Sequence, residues 1–292
     1  MMTFLMVGVI GCPLFGDDKI TVKLHKDEKG DKTHVTEKEI EKGQTTMTLN
    51  GKPEVHKSDK LLICQFHDEI LEKQVGKHFT KAKRTYEKLD VRMFNKKMTT
   101  TMLNKPVLIE RLKTDYKFTI NGKEVAGEDD EILRDEFKEK KTEDDLELED
   151  LLMPKQPLAV NETWKPAMAP ILSELADETD MNFDAAKSTA QGKLTKVYKK
   201  DGKQYGVLKI DLDLAVTKMG VGGALINMAP GSTSKMTCML DGCIDGSCNY
   251  GVLDIVMDMK IHGSFKNQEG KDVKMDFVLK KTMNKVQGPV GK

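Results

Sequence analysis

The sequence predicts a mainly β fold built from antiparallel strands. Residues 251–265 place apolar side chains at odd positions and charged or polar side chains at most even positions, which is the pattern of a strand with one buried and one solvated face. Strands buried on both faces would be continuously apolar, so a purely parallel sheet is not indicated. Four dipeptides that end in glycine also separate strand-like runs, as hairpin turns do. These are Asn50-Gly51, Asn121-Gly122, Asp201-Gly202 and Glu269-Gly270.

We therefore expect a strongly curved antiparallel sheet or two half-barrel-like β meanders, with a helical connector and short packed helices. Two sheets stacked as a sandwich are the alternative. The predicted organisation is a signal peptide with a lipobox at residues 1–12, an N-terminal β half at 20–126, an acidic helical connector at 127–153 and a C-terminal β half at 157–287.

The N-terminal half is predicted to contain strands at residues 61–71, 77–89 and 98–112. The first of these runs also fits a helix, because its apolar residues fall four apart, but a strand is the preferred interpretation. Residues 118–125 are predicted to form a short hairpin around the turn at Asn121-Gly122.

The connector has a helical pattern, because acids and lysines crowd around apolar residues at helical spacing. Thr142 is followed by three acids and marks a second helix start. Pro154 and Pro157 end this segment.

The C-terminal half repeats the strand alternation at residues 207–216 and 273–279. A short helix is expected at about residues 169–178, with Pro170 in its first turn. Trp164, the single tryptophan of the chain, is predicted to begin a strand and to anchor the core.

The first twelve residues are an uncharged apolar run that stops at Gly11 and Cys12. Such a run is too short to cross a bilayer, which takes about 20 residues, but it matches the apolar region of a signal peptide. The alternative is a buried strand or helix start at residues 4–10, with Cys12 as an ordinary thiol.

Residues 9–12, Val-Ile-Gly-Cys, resemble the lipobox of bacterial lipoproteins, although no Lys or Arg precedes the apolar run. The resemblance implies that Cys12 is acylated and becomes the mature N-terminus. It implies an extracytoplasmic protein, anchored by lipid to the periplasmic face of a bacterial membrane.

A second segment, residues 151–164, resembles a segment of uncharacterised exported bacterial lipoproteins of β-rich fold. It reads Leu-Leu-Met-Pro-Lys-Gln-Pro-Leu-Ala-Val-Asn-Glu-Thr-Trp, and the resemblance extends weakly to residues 83–87. It implies a β-rich extracytoplasmic fold and brings no catalytic residues with it.

Charge excludes one class of partner. The chain has 47 Lys plus Arg and 47 Asp plus Glu, for a formal net charge of zero. Long-range attraction to a phosphate backbone is therefore not indicated, and we expect no nucleic-acid partner.

Four cysteines besides Cys12 are candidates for disulfide bonds, an even number in a compartment where such bonds persist. They are Cys64, Cys238, Cys243 and Cys248. The last three flank two Asp-Gly turns, so we expect a bridge that closes this loop, with the third cysteine reaching Cys64. A zinc site and free thiols are the alternatives.

No catalytic group, metal site or cofactor is predicted. The six histidines look scattered along the sequence, and no Gly-x-Ser-x-Gly motif is present. The glycine-rich residues 220–224 lack the lysine of a phosphate-binding loop.

The function expected from these observations is binding. Methionine is abundant, with 18 residues, and its flexible side chain adapts to varied apolar ligands. The candidate ligand face comprises Met257, Met259, Met275 and Phe277; an ordinary core is the alternative.

We expect an exported, lipid-anchored, non-enzymatic envelope protein that binds a hydrophobic small molecule or an envelope protein. A structural or assembly factor, and a hydrolase with a site assembled from distant residues, are the alternatives.

Overall fold

The computed structural model describes residues 19–73, 79–113, 115–137, 148–221, 224–267 and 269–290. The predicted signal peptide and Cys12 lie outside the described residues. Within these ranges the chain forms fifteen strands and three helices. The strands are β1 (Lys32–Leu49), β2 (Lys52–Lys73), β3 (Phe79–Met93), β4 (Lys96–Lys97), β5 (Pro106–Arg111), β6 (Tyr116–Ile120), β7 (Lys123–Glu124), β8 (Thr163–Trp164), β9 (Met181–Phe183), β10 (Thr189–Lys200), β11 (Lys203–Val221), β12 (Ala224–Asn227), β13 (Thr233–Cys243), β14 (Gly251–Lys266) and β15 (Asp272–Pro289). The helices are α1 (Glu128–Glu136), α2 (Leu148–Leu152) and α3 (Met168–Thr179).

The strands join into one antiparallel sheet with two ends. Its order is β7-β6-β5-β3-β2-β1-β15-β14-β13-β11-β10-β8, with β4, β9 and β12 attached beside this path. The mainly antiparallel β fold predicted from the alternation is confirmed. The pairing of β1 with β15 joins the N-terminal and C-terminal meanders, so the described strands form one sheet and not two stacked ones.

The sheet has a packed face and a solvated face. A row of directly paired residues on the packed face runs from the C-terminal to the N-terminal half, through Cys238, Ile255, Met283, Glu39, Leu62 and Val91. Side chains alternate between faces along each strand, so Val256 and His34 lie on the solvated face.

Two separate apolar clusters cover the packed face. The N-terminal cluster forms between β2, β3, β5, β6 and α1 and includes Phe66, Tyr86 and Leu133. The C-terminal cluster forms between β10, β11, β13, α2 and α3 and includes Ile171 and Leu212. None of the described helices is both long and apolar enough to cross a bilayer.

The hairpin turns match the sequence prediction. Asn50, Asn121 and Asp201 have φ values of 53°, 52° and 51°, and the glycine after each also has positive φ, as two-residue hairpin turns require. Residues 61–71 are strand, as preferred, and lie within β2. The helix predicted at about residues 169–178 is α3. Thr142, the predicted start of a second connector helix, lies outside the described residues.

The prediction for residues 98–112 is only partly right, because the regular strand is β5 alone. Met98 and Met102 are 6% and 0% exposed and fill the N-terminal cluster from irregular backbone. Asn104 has a φ of 57°, which is incompatible with a continuous strand. Apolar residues in this segment therefore produce a strand-like pattern without strand geometry.

Candidate functional site

The centre of the packed face carries an apolar strip beside a charged strip. Leu253, Ile255 and Met257 of β14 are half-buried. They are paired across to Lys285, Met283 and Lys281 of β15, and these in turn to Glu37, Glu39 and Glu41 of β1. On the packed face, the side chains of β14 are apolar, whereas most of the side chains paired with them on β15 and β1 are charged. The two strips therefore lie side by side. The apolar strip packs against the C-terminal cluster, and the charged strip lies on the side toward the N-terminal cluster. We refer to the two strips together as the central floor.

Fixed ion pairs hold the charged strip. Glu39 is 5% exposed, and its carboxylate lies 2.9 Å from Lys60 Nζ and 2.7 Å from Lys281 Nζ. Burial raises the pKa of Glu39, but the two ammonium groups outweigh it and lower that pKa below its ordinary value. The neighbouring Glu37 has the opposite shift, because burial raises its pKa and the attraction to Lys285 does not compensate. The floor therefore places lysines that are paired with glutamates next to apolar side chains.

The four residues of the predicted ligand face divide into two pairs. Met259 and Met275 are 5% and 2% exposed and pack with Val216 and Ile261 in a small cluster. The short strand β9 pairs with β11 and contributes Met181 and Phe183 to this cluster's edge, and Met228, which follows β12, also packs there. Met257 and Phe277 remain half-buried. The accessible part of the apolar face is thus shifted toward Ile255 and Met257.

The four described cysteines are free thiols in the structure. Cys64 lies on β2 and Cys238 on β13, and β1, β15 and β14 stand between them. Four strand spacings correspond to about 19 Å, whereas a disulfide needs Cα atoms within about 7 Å. The structure does not bring Cys64 to the cysteines of residues 238–248.

Cys243 and Cys248 are brought together under a cluster of tyrosines. Each thiol contributes to the pKa shift of the other, and the Tyr205 hydroxyl lies 3.7 Å from Cys248 Sγ. Burial raises the pKa of Cys243, as does the nearby Asp245 carboxylate, although Ser247 opposes the shift. Burial also raises the pKa of Cys248, but the Tyr250 backbone and the thiol and hydroxyl contacts outweigh it, so this pKa is lowered. Of the pair, Cys248 is the more readily ionised thiol.

Sequence reasoning missed one cluster, in which two histidines that are 33 positions apart become neighbours. His34 on β1 pairs directly with His67 on β2. Each lies sixteen residues from its side of the Asn50-Gly51 turn, so the register of the two-residue hairpin could have revealed the pair. His25 and His262 instead contact single carboxylates, Asp31 at 3.0 Å and Asp276 at 2.6 Å.

No protein-family model matches the chain, and the comparison with curated proteins found no match. Among solved structures, the chain is similar to Ail, the attachment invasion locus protein of Yersinia pestis, with 8% identity and a TM-score of 0.15, over 88% of this chain and 99% of that one. It is also similar to an outer membrane channel from Pseudomonas putida F1, with 8% identity and a TM-score of 0.15, over 90% and 98% of the two chains. Similarities this low carry no argument about function.

Proposed function

We propose that the chain is an exported bacterial lipoprotein, anchored through Cys12, that binds an amphipathic molecule with an acyl chain on the central floor. The observation that supports this proposal is the juxtaposition on one face of half-buried Leu253, Ile255 and Met257 with the lysines of β15. The function is binding and not catalysis.

The chemistry of the floor fits such a ligand. Burial of apolar surface contributes about 25 cal/mol per Å², and methionine adapts its shape to an irregular guest. Lys281 and Lys285 lie one strand away from this apolar strip, within reach of a ligand's acidic head group. Burial raises the pKa of Glu37 and so disfavours the ionised form of this carboxylate. A ligand carboxylate would compete with Glu37 for Lys285.

The short distance along the chain from Cys12 to the first packed residues supports an anchor held close to the sheet. Ile20 and Val22 are 7% and 8% exposed and pack with Leu158, and Ile20 also exchanges backbone hydrogen bonds with Leu158. Seven residues separate Cys12 from Ile20, which span at most about 25 Å when extended. A lipid on Cys12 would therefore hold the sheet near the membrane surface.

A protein partner that adds a strand to the sheet has less support. Residues 52–59 of β2 extend beyond the pairing with β3, which ends at Lys60. This free edge carries Pro53 and several charged residues, which are the features that protect an edge against strand addition.

The ligand is tested by Met257→Asp, with Val256→Asp as the matched control. The two residues are neighbours on β14 but point to opposite faces, and Val256 is 49% exposed. We expect the wild type and Val256→Asp to bind a fluorescent fatty acid equally, and Met257→Asp to bind at least about tenfold more weakly, because a charge replaces an apolar contact. A fluorescence titration measures the affinity of each of the three proteins. Equal affinity for all three proteins, or no binding by the wild type, would contradict the ligand proposal.

Export is tested by intact-mass analysis of the protein isolated from a bacterial host. We expect cleavage before Cys12, acyl mass that Cys12→Ala removes, and a loss of two hydrogens from a Cys243–Cys248 disulfide, because these thiols lie in the same small cluster. Cys64 and Cys238 are buried, and burial raises their pKa values, that of Cys238 to about 12, so we expect both to stay reduced. A chain with an intact N-terminal methionine and four free thiols would contradict export.

A further inference from the structure

Three metal-ligating side chains converge on the solvated face of the N-terminal half. His67 Nε2 lies 2.8 Å from Glu87 Oε1, and His34 Nε2 lies 3.8 Å from Glu87 Oε2. The two imidazole rings are 4.8 Å apart between centroids. One ligand atom from each residue lies within 4.8 Å of the others, so a single ion placed between them can reach all three.

Two features of the backbone produce this convergence. The Asn50-Gly51 hairpin sets His34 directly opposite His67. The register of β2 with β3 then shifts between Gln65 and Phe66, which pair with Lys88 and Tyr86. Glu87 is the extra residue at this bulge, and bulges re-aim side chains. The bulge turns the Glu87 carboxylate toward the two imidazoles.

The ligand atoms are partly exposed, and His34 Nε2 also lies 3.0 Å from the side-chain amide of Gln65. This amide donates to an unprotonated ring nitrogen and would have to move aside for a metal ion. The side chains of His34, His67 and Glu87 are 34%, 37% and 43% exposed. A depression of about 220 Å³ adjoins His67 and is bordered by Lys32, Asp68 and Thr85. Nδ1 of His67 is buried and has no hydrogen-bond partner among the described groups, so no second contact holds the ring in one tautomer. When Nε2 coordinates a metal ion, the single ring proton is carried by Nδ1, so the imidazole stays neutral.

A second cluster, at His25, Asp27 and Asp31, is less suited to a metal. Both ring nitrogens of His25 already have partners, because Nδ1 lies 3.3 Å from the Gly246 carbonyl oxygen and Nε2 lies 3.0 Å from Asp31. The Asp31 carboxylate also accepts the backbone N–H of Glu28. These bonds hold the N-terminal segment against the loop at Gly246, which is a structural role.

We propose that His34, His67 and Glu87 bind one divalent first-row transition-metal ion. Two imidazole nitrogens and one carboxylate oxygen with open positions suit Zn²⁺, and the same donor set accepts Fe²⁺, Ni²⁺ or Cu²⁺.

The test is a titration of the full, chelator-treated chain with ZnCl₂ against a chromophoric chelator. We expect the wild type to bind one equivalent that His34→Gln, His67→Gln and Glu87→Gln each weaken at least about tenfold. His262→Gln is the matched control, because this exposed histidine contacts a single carboxylate and stands alone on β14. It should bind as the wild type does, and so should His25→Gln.

A second readout keeps the outcome decisive if one variant folds poorly. Cu²⁺ bound to the wild type should give an electron paramagnetic resonance spectrum with two nitrogen ligands, and His34→Gln should reduce the number to one. Three results would each overturn the proposal. The first is that the wild type binds Zn²⁺ and none of the three substitutions weakens binding. The others are loss of binding in His25→Gln and no stoichiometric binding by the wild type at neutral pH.

Discussion

Arg84 illustrates how a single buried charge joins a helix to the sheet. It is 6% exposed, and its guanidinium forms two bonds to Asp68, Nε to Oδ1 at 2.8 Å and Nη2 to Oδ2 at 2.7 Å. It also donates to Glu136 of α1, which in turn accepts the Tyr86 hydroxyl at 2.9 Å. The same guanidinium lies 3.7 Å over the ring of Phe66. Such a planar fork satisfies two carboxylates at once, so α1 is fixed to β2 and β3.

The two central glutamates of β1 should respond to substitution in opposite ways. Glu39 has a lowered pKa, so its ionised form stabilises the fold. This contribution is fully present above the unfolded pKa of about 4.3 and is lost as the pH falls through the lower folded value. We expect Glu39→Gln to reduce the free energy of unfolding by about 1 to 3 kcal/mol at pH 7, and the difference from the wild type to shrink under acid.

Glu37→Gln is the matched control, two positions away on the same face. Because the Glu37 pKa is raised, its ionised form opposes folding at pH 7, and stability grows as the pH falls through the raised value. We expect Glu37→Gln to be as stable as the wild type or more so. Urea unfolding between pH 4 and pH 7 measures both; equal losses for the two variants would contradict this assignment.

At the scale of residues, the sequence predicts types of side chain better than their neighbours. The alternation identifies Met257 and Met259 as one face, yet only the structure shows that β9 and β12 border the cluster that buries Met259. Cysteine spacing suggests the neighbourhood of Cys243 and Cys248, but the location of Cys64 depends on long-range strand order. The His34–His67 pair was within reach of hairpin register. The position of Glu87 depends on a bulge, for which the sequence carries no evident signal.

At the scale of elements, β8 is held by a contact that only glycine permits. Trp164 pairs with Gly192 of β10, and its indole N–H donates to the Leu152 carbonyl oxygen at 2.8 Å. A Cβ at residue 192 would lie 2.1 Å from Trp164 Cε2. The role of core anchor predicted for Trp164 therefore rests on this glycine, and the ring contacts both the C-terminal cluster and the cluster around Leu194.

Gly192→Ala should displace the tryptophan and weaken the edge of the sheet. We expect a loss of about 1 to 3 kcal/mol in the free energy of unfolding, with a change in tryptophan fluorescence, since the chain has one tryptophan. Gly251→Ala is the control, because a Cβ there meets its nearest atom at an ordinary 3.5 Å. Denaturant unfolding followed by fluorescence measures both variants. An unchanged spectrum and stability for Gly192→Ala would show that the ring is not packed on residue 192.

Hairpins and α3 could be predicted from sequence because their signals are local. Positive φ at Asn-Gly and Asp-Gly pairs is a property of the two residues themselves. Residues 98–105 could not be predicted in the same way, since Met98 and Met102 are buried by contacts with distant parts of the N-terminal cluster. The apolar residues of this segment therefore predict that side chains are buried, but they do not predict the conformation of the backbone.

At the scale of the whole molecule, the charged strip separates two apolar clusters on one continuous sheet. Glu37, Glu39 and Glu41 face Lys285, Met283 and Lys281 at the junction, so the halves meet through ion pairs and backbone bonds more than through apolar packing. The sequence predicted two meanders but could not predict their junction, because β1 and β15 stand at opposite ends of the chain. The division into an N-terminal half, connector and C-terminal half stays a prediction.

The late arrival of β15 sets a constraint on how the protein is made. Some 220 residues lie between Leu49 and Asp272, which a ribosome adds in about 11 to 44 s at 5 to 20 residues per second. As long as β15 is missing, β1 has one unsatisfied side, which is a template for association with other chains. The alternating acids of β1 are residues of the kind that protect such an edge, and the lysines of β15 neutralise them once the two strands pair.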